Sequence, residues 1–158
     1  MQQEQSASPA PQFYQPEQPV SGPAYGGPFK IVATAIVLIL LGYGFAIALR
    51  FPMFAYGFGV KVLLVGATSL LLASWYWFLK GRTTIDAQGL RQTAMIDKQV
   101  RWDEVRSAKM IGIPFLGWLF PPRLVVRTGN SFTTFNGGSQ AVLIEFAKIS
   151  LAYQMKKP

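Results

Sequence analysis

The sequence predicts a transmembrane helix hairpin joined to one small α+β domain, and three observations carry that prediction. Two uncharged apolar runs, residues 31–49 and 62–79, are each long enough to cross a bilayer. At about 1.5 Å rise per residue they span roughly 27 to 29 Å, against a hydrocarbon core of about 30 Å. Beyond them the pattern changes to short β-type pieces separated by turn residues and closed by an amphipathic helical stripe. Charge divides at the same place: twelve of the 15 Lys and Arg lie at or beyond Lys80, where only five acids occur, a basic surplus of seven.

Composition agrees. Of 158 residues 51% are hydrophobic and only 14% charged, with a mean hydropathy of +0.27, outside the usual range of a soluble domain. Once the apolar runs are subtracted, there is room for one small folded domain. The sequence has no His and no Cys. Catalytic triads with His, Cys–His nucleophiles, thiolate or imidazole zinc sites, His-ligated haem and disulfide frameworks therefore lack their essential residues. The expectation is a non-enzymatic protein with no cofactor and no metal.

Residues 1–28 are rich in Gln, Pro, Ser, Ala and Gly, with Pro at 9, 11, 16, 19, 23 and 28, and read as a disordered tail. Docking of this Pro-rich stretch on an aromatic groove is the competing reading, but no PxxP ligand with a flanking Arg is present. Without a basic n-region, the stretch does not read as a signal peptide.

The hairpin is expected over residues 29–80, with helices at about 30–50 and 61–79. Lys30 and Arg50 bracket the first apolar run and Lys61 and Lys80 the second, where long stems reach the interface. Trp75, Tyr76 and Trp77 form an aromatic belt at the end of the second helix. Pro and Gly in residues 50–61 break the helix and return the chain. Small residues share a face on each helix, Ala35, Gly42 and Ala46 on the first and Gly66, Ser69 and Ala73 on the second, which is either a surface for close packing or only the ordinary abundance of Gly and Ala in membrane helices. Lys80, Arg82, Arg91, Lys98 and Arg101 after the second helix favour a cytoplasmic location for both ends.

In residues 81–158, Thr83 to Ile85 and Leu90 to Met95 make a hairpin across Asp86-Ala87-Gln88-Gly89, with Asp first and Gly fourth as a type I turn prefers. Val100 to Trp102 and Val105 to Ile111 are two further strands around an Asp103-Glu104 turn. Arg123 to Thr128 and Phe132 to Phe135 pair across a turn at 128–131. Ser139 caps a last helix whose Val142, Phe146, Ile149 and Tyr153 form one stripe. Trp102, the largest side chain among these strands, is expected in the core.

Three segments are candidates for chemistry or binding. Asp103-Glu104 is the only adjacent acidic pair and lacks an identifiable partner base or metal, so it reads as a solvated turn. Asn136-Gly137-Gly138-Ser139 has the glycines of an anion-cradling loop but not the Lys-Ser/Thr of a P-loop, and reads as strand-to-helix punctuation. Residues 111–122, IGIPFLGWLFPP, are uncharged, aromatic and too short to cross a membrane. They either fold over the open face of the sheet or dip into the membrane interface, and the preference of Trp for that interface favours the second.

The two helices, the TTIDAQGL hairpin and the VRWDEVRSAKM segment, in that order before a late hairpin and closing helix, resemble the bacterial membrane proteins that carry a PH-like domain. Thr84, Gly89, Leu90, Val100, Trp102 and Val105 occupy the matching positions. The resemblance implies a PH-like antiparallel sheet or partial barrel closed by the C-terminal helix, in a multi-pass protein of the bacterial inner membrane. This chain differs in its apolar 111–122 insert.

The functional expectation is a cationic domain presented at the membrane to bind lipid headgroups or a membrane-protein partner. Lys80, Arg82, Arg106, Lys109 and Arg123 are the candidate headgroup contacts, and Phe115, Trp118 and Phe120 join Trp75, Tyr76 and Trp77 as candidate interface residues. The alternative is an accessory or assembly subunit of a larger membrane complex. Nucleic acid is not expected, because a membrane tether accounts for the positive charge and apolar interleaving suits lipid better than a phosphate-tracking groove.

Overall fold

The computed structural model describes residues 14–52 and 55–155. Its elements run β1 (Val20–Pro23), α1 (Gly27–Arg50), α2 (Phe58–Lys80), β2 (Arg82–Ile85), β3 (Gly89–Thr93), β4 (Lys98–Arg101), β5 (Val105–Ile111), β6 (Arg123–Thr128), β7 (Ser131–Asn136) and α3 (Gln140–Met155), with a 3-10 turn at Trp102–Glu104. The result is a helix hairpin plus an α+β unit.

Both long helices have the length and hydropathy to cross a membrane, and Val37 is the one residue of either that is buried. Pro28 in the first turn of α1 supplies a helix-ready φ, and Pro52 follows the last turn, where it stops the helix. The helices are held in antiparallel register near the domain: Lys30 Nζ donates to the Leu79 carbonyl at 2.9 Å and Trp75 Nε1 to Thr34 Oγ1 at 3.0 Å. A cation on the last carbonyls of α2 also complements its dipole.

The small-residue faces are not this interface. Ala35, Gly42, Ala46, Gly66 and Ser69 are exposed, only Ala73 is half-buried, and a Cβ on Gly42 or Gly66 would touch nothing. The less exposed residues are instead Thr34, Val37 and Leu41 on α1, and Leu71, Trp75 and Phe78 on α2. The hydrogen bonds of Lys30 and Trp75 set the rotation of the helices, overriding the spacing of small residues.

The expected tail contains a strand of the folded unit. Residues 1–13 lie outside the described residues, but Val20–Pro23 is a strand, paired antiparallel with β2 from Val20↔Ile85 to Pro23↔Arg82. The α+β unit therefore begins before the hairpin, which is inserted between two neighbouring strands. Ala24 N donates to Gly81 O at 2.9 Å and Gly138 N to Pro23 O at 2.8 Å, closing the junction. Gly138 is required there, since a Cβ would collide with the backbone of Tyr25 and Gly26. The Gly-Gly punctuation thus serves a close backbone approach.

Two antiparallel sheets, ordered β1-β2-β3-β4 and β5-β6-β7, share one core without closing a barrel. Alternation puts Leu90, Val100, Leu124, Val126 and Phe135 inward, and α3 covers them with Val142, Phe146 and Ile149. Trp102 is 2% exposed, as expected of a core residue. Its Nε1 donates to the Asp86 carbonyl at 2.8 Å, and the ring of Tyr14 lies against it at 5.5 Å.

Four of the acids have partners within the fold. Asp86 Oδ1 accepts from the amides of Gln88 and Gly89 inside the expected turn, Asp97 and Asp103 pair with Arg91 and Arg101, and Glu145 accepts from Tyr14 and Lys148. That last contact raises the Lys148 pKa above the ordinary ammonium value.

Candidate membrane-facing site

Strand direction decides which residues share a level with the hairpin. Strand β2 leaves α2 directly, so Arg82 starts at the hairpin end, and β3 returns to it because Thr93 pairs with Arg82. In the second sheet Ile111, Arg123 and Asn136 form one row, and the Asn136 carbonyl accepts from Thr83 Oγ1 at 2.6 Å. The turn after β3 and the loop after β5 therefore emerge at the same end as α1 and α2. The Asp86 turn, the Asp103-Glu104 turn and the β6–β7 turn lie at the opposite end.

The 111–122 segment divides its labour. Leu116 N bonds to Ile113 O across a turn with Pro114 second and Phe115 third, and Phe115 has φ of 67°, the left-handed value a type II turn demands at that place. Glycine usually fills such a position, and a bulky residue there is strained. The strained residue is also the most exposed: Phe115 is 99% exposed and Trp118 65%. Phe120 turns back, its ring 5.7 Å from that of Phe29 at the start of α1. Together Leu119 and Phe120 wall a cleft of about 250 Å³ against Val32, Ile36, Leu71 and Trp75. The loop thus leans on the first turns of the hairpin and leaves the core to other residues.

The candidate headgroup residues do not all assemble. Lys80 and Arg82 flank the hairpin base, and Arg123 sits beside Phe120 and Pro121. Lys109 is exposed two residues before Ile111, roughly 7 Å along β5. Arg106 falls in the irregularity between Val105 and Ser107, five residues or roughly 17 Å from the Arg123 row. That exceeds a Debye length of about 8 Å, so Arg106 is separated from the group. Of the aromatic belt, Tyr76 is exposed, while Trp75 is engaged by Thr34 and Trp77 stacks edge-on to Tyr76.

Sequence reasoning missed two features. Met95 and Ile96, 53% and 76% exposed, project from the turn after β3 at the hairpin end. Reading the strand through Met95 hid them, because β3 ends at Thr93. The second feature is Tyr25, assigned to the tail, which lies with Arg123 and Asn136 around a narrow crevice. Burial pushes its phenol pKa up, partly opposed by the positive field of Arg123 and the hydrogen bond from Asn136. The Asn136 Oδ1 is buried and has no partner among the described residues. Comparison of the chain with protein-family models, with curated proteins and with solved structures finds no match in any of the three.

Proposed function

We propose that this chain is a non-enzymatic membrane module of the bacterial inner membrane, in which a hairpin anchor holds a PH-like domain against the anionic cytoplasmic leaflet. The observation that carries the reading is the common level of the hairpin base, the Phe115–Trp118 tip, the Met95-Ile96 tip and the basic residues Lys80, Arg82 and Arg123. Exposed apolar tips with basic rims suit an interface, where each nearby Lys or Arg contributes about 1 kcal/mol toward an anionic surface. The PH-like assignment is supported by four- and three-stranded sheets with a C-terminal helix across them. The cytoplasmic side is supported by the basic surplus of the domain.

The absence of native Cys makes both parts testable with single cysteines. In intact cells, an impermeant thiol reagent is expected to label Ala55→Cys between the helices and spare Gln88→Cys in the domain. The reverse pattern inverts the topology. In vesicles of phosphatidylcholine with phosphatidylglycerol, an environment-sensitive dye on Phe115→Cys or Ile96→Cys is expected to report apolar surroundings, and on Gln88→Cys water. Wet signals at both tips would show that the domain stands clear of the bilayer.

A second reading, the accessory subunit, is supported by the small residues that the hairpin leaves outward, Ala35, Gly42 and Ala46 with Gly66 and Ser69. Purification in mild detergent distinguishes it by a stoichiometric partner.

A further inference from the structure

We propose that the groove between the hairpin and the 111–122 loop is a specific site for one anionic phospholipid, with its phosphate on Arg123 and an acyl segment in the cleft beside α1. This inference rests on the membrane-surface reading but adds a stoichiometric site to it. Polar and apolar parts adjoin here, as such a lipid requires. Arg123, Tyr25 and Asn136 line a narrow crevice, and Phe29, Leu119 and Phe120 wall both that crevice and the apolar cleft, so the two are neighbours across these rings.

Charge complementarity selects the headgroup. Arg123 is exposed and has no carboxylate partner among the described residues, whereas Arg91, Arg101 and Lys148 each have one. The Tyr25 hydroxyl accepts from Asn136 Nδ2 at 3.5 Å, which leaves its own proton for an oxygen of the ligand. An exposed guanidinium beside a phenol favours phosphate, and the Arg offers paired donors to it.

Depth selects the tail. The cleft extends along α1 from Phe29 to Val37, about 12 Å of helix axis and within the uncharged run. Its volume of about 250 Å³ lies below that of a site enclosing a whole small molecule, and matches a segment of one chain.

The test uses the full-length protein in nanodiscs of phosphatidylcholine with a minor share of phosphatidylglycerol, released into mild detergent and weighed by native mass spectrometry. One retained phosphatidylglycerol per chain is expected. Arg123→Gln should weaken retention by about tenfold or more, the loss of a charge-assisted bond, while Arg123→Lys keeps most of it. Ala33→Trp, which fills the cleft and leaves the charge in place, should also expel the lipid. Equal retention of both lipids, or undiminished phosphatidylglycerol in Arg123→Gln, overturns the site. The dye on Phe115→Cys reports the surface reading separately: dry tips with no retained lipid refute the site alone, and retained lipid with wet tips refutes the surface reading alone.

Discussion

Residues 81–158 expressed alone are expected to be unstable, and restoring residues 14–24 by a short glycine linker in place of the hairpin is expected to recover a soluble, cooperative fold. Removing β1 strips β2 of its partner from Val20↔Ile85 to Pro23↔Arg82 and deletes the bonds from Ala24 to Gly81 and from Gly138 to Pro23. It also exposes buried Thr83 and one flank of α3, and removes the Tyr14 ring from Trp102. At about 1 kcal/mol per backbone bond, the loss approaches the ~3–5 kcal/mol that a core of this size supplies. The freed edge of β2 is also a template for aggregation. The linker has little to span, because Ala24 and Gly81 are already hydrogen-bonded at 2.9 Å. Urea unfolding of the two forms decides the matter: equal midpoints would mean that β1 is dispensable.

Trp102→Ala is expected to destabilise the domain by about 3 to 5 kcal/mol, the range for removing a buried large aromatic. The ring is 2% exposed among Leu90, Val100 and Phe146 of the core cluster, and its Nε1 satisfies the Asp86 carbonyl at 2.8 Å. Truncation therefore leaves both a cavity and an unpaired carbonyl. Trp102→Phe fills much of the space and loses chiefly the hydrogen bond, for about 1 to 2 kcal/mol. The ordering Ala below Phe below Trp in thermal midpoint checks both terms, and an unchanged midpoint in Trp102→Ala would place the ring outside the core.

The parts of the structure legible in the sequence are those specified by residues close together in the chain. An uncharged run of membrane-spanning length is a helix whatever surrounds it, and Asp86 with Gly89 makes its turn from four consecutive residues. The same holds for the β6–β7 hairpin and for the α3 stripe capped by Ser139, whose Oγ accepts from Val142 N at 3.4 Å. The 111–122 loop stood out by composition alone.

Long-range pairing decided the rest. Val20–Pro23 has no apolar alternation and two helix-breaking residues, so nothing local marks it as a strand; β2, on the other side of the hairpin, supplies its hydrogen-bond partners. Helix rotation was likewise hidden, because it follows from Lys30 meeting Leu79 and Trp75 meeting Thr34 across two segments. The grouping of Arg123 with Tyr25, and the exclusion of Arg106, depend on sheet register and on one irregularity in β5. By itself the sequence determined that this protein has a membrane-type hairpin and a small cationic domain, because length, hydropathy and turn chemistry are local quantities. Only the tertiary structure decided that the hairpin is an insertion within that domain and that both apolar tips share its level, because strand pairing joins residues whose proximity no local pattern encodes.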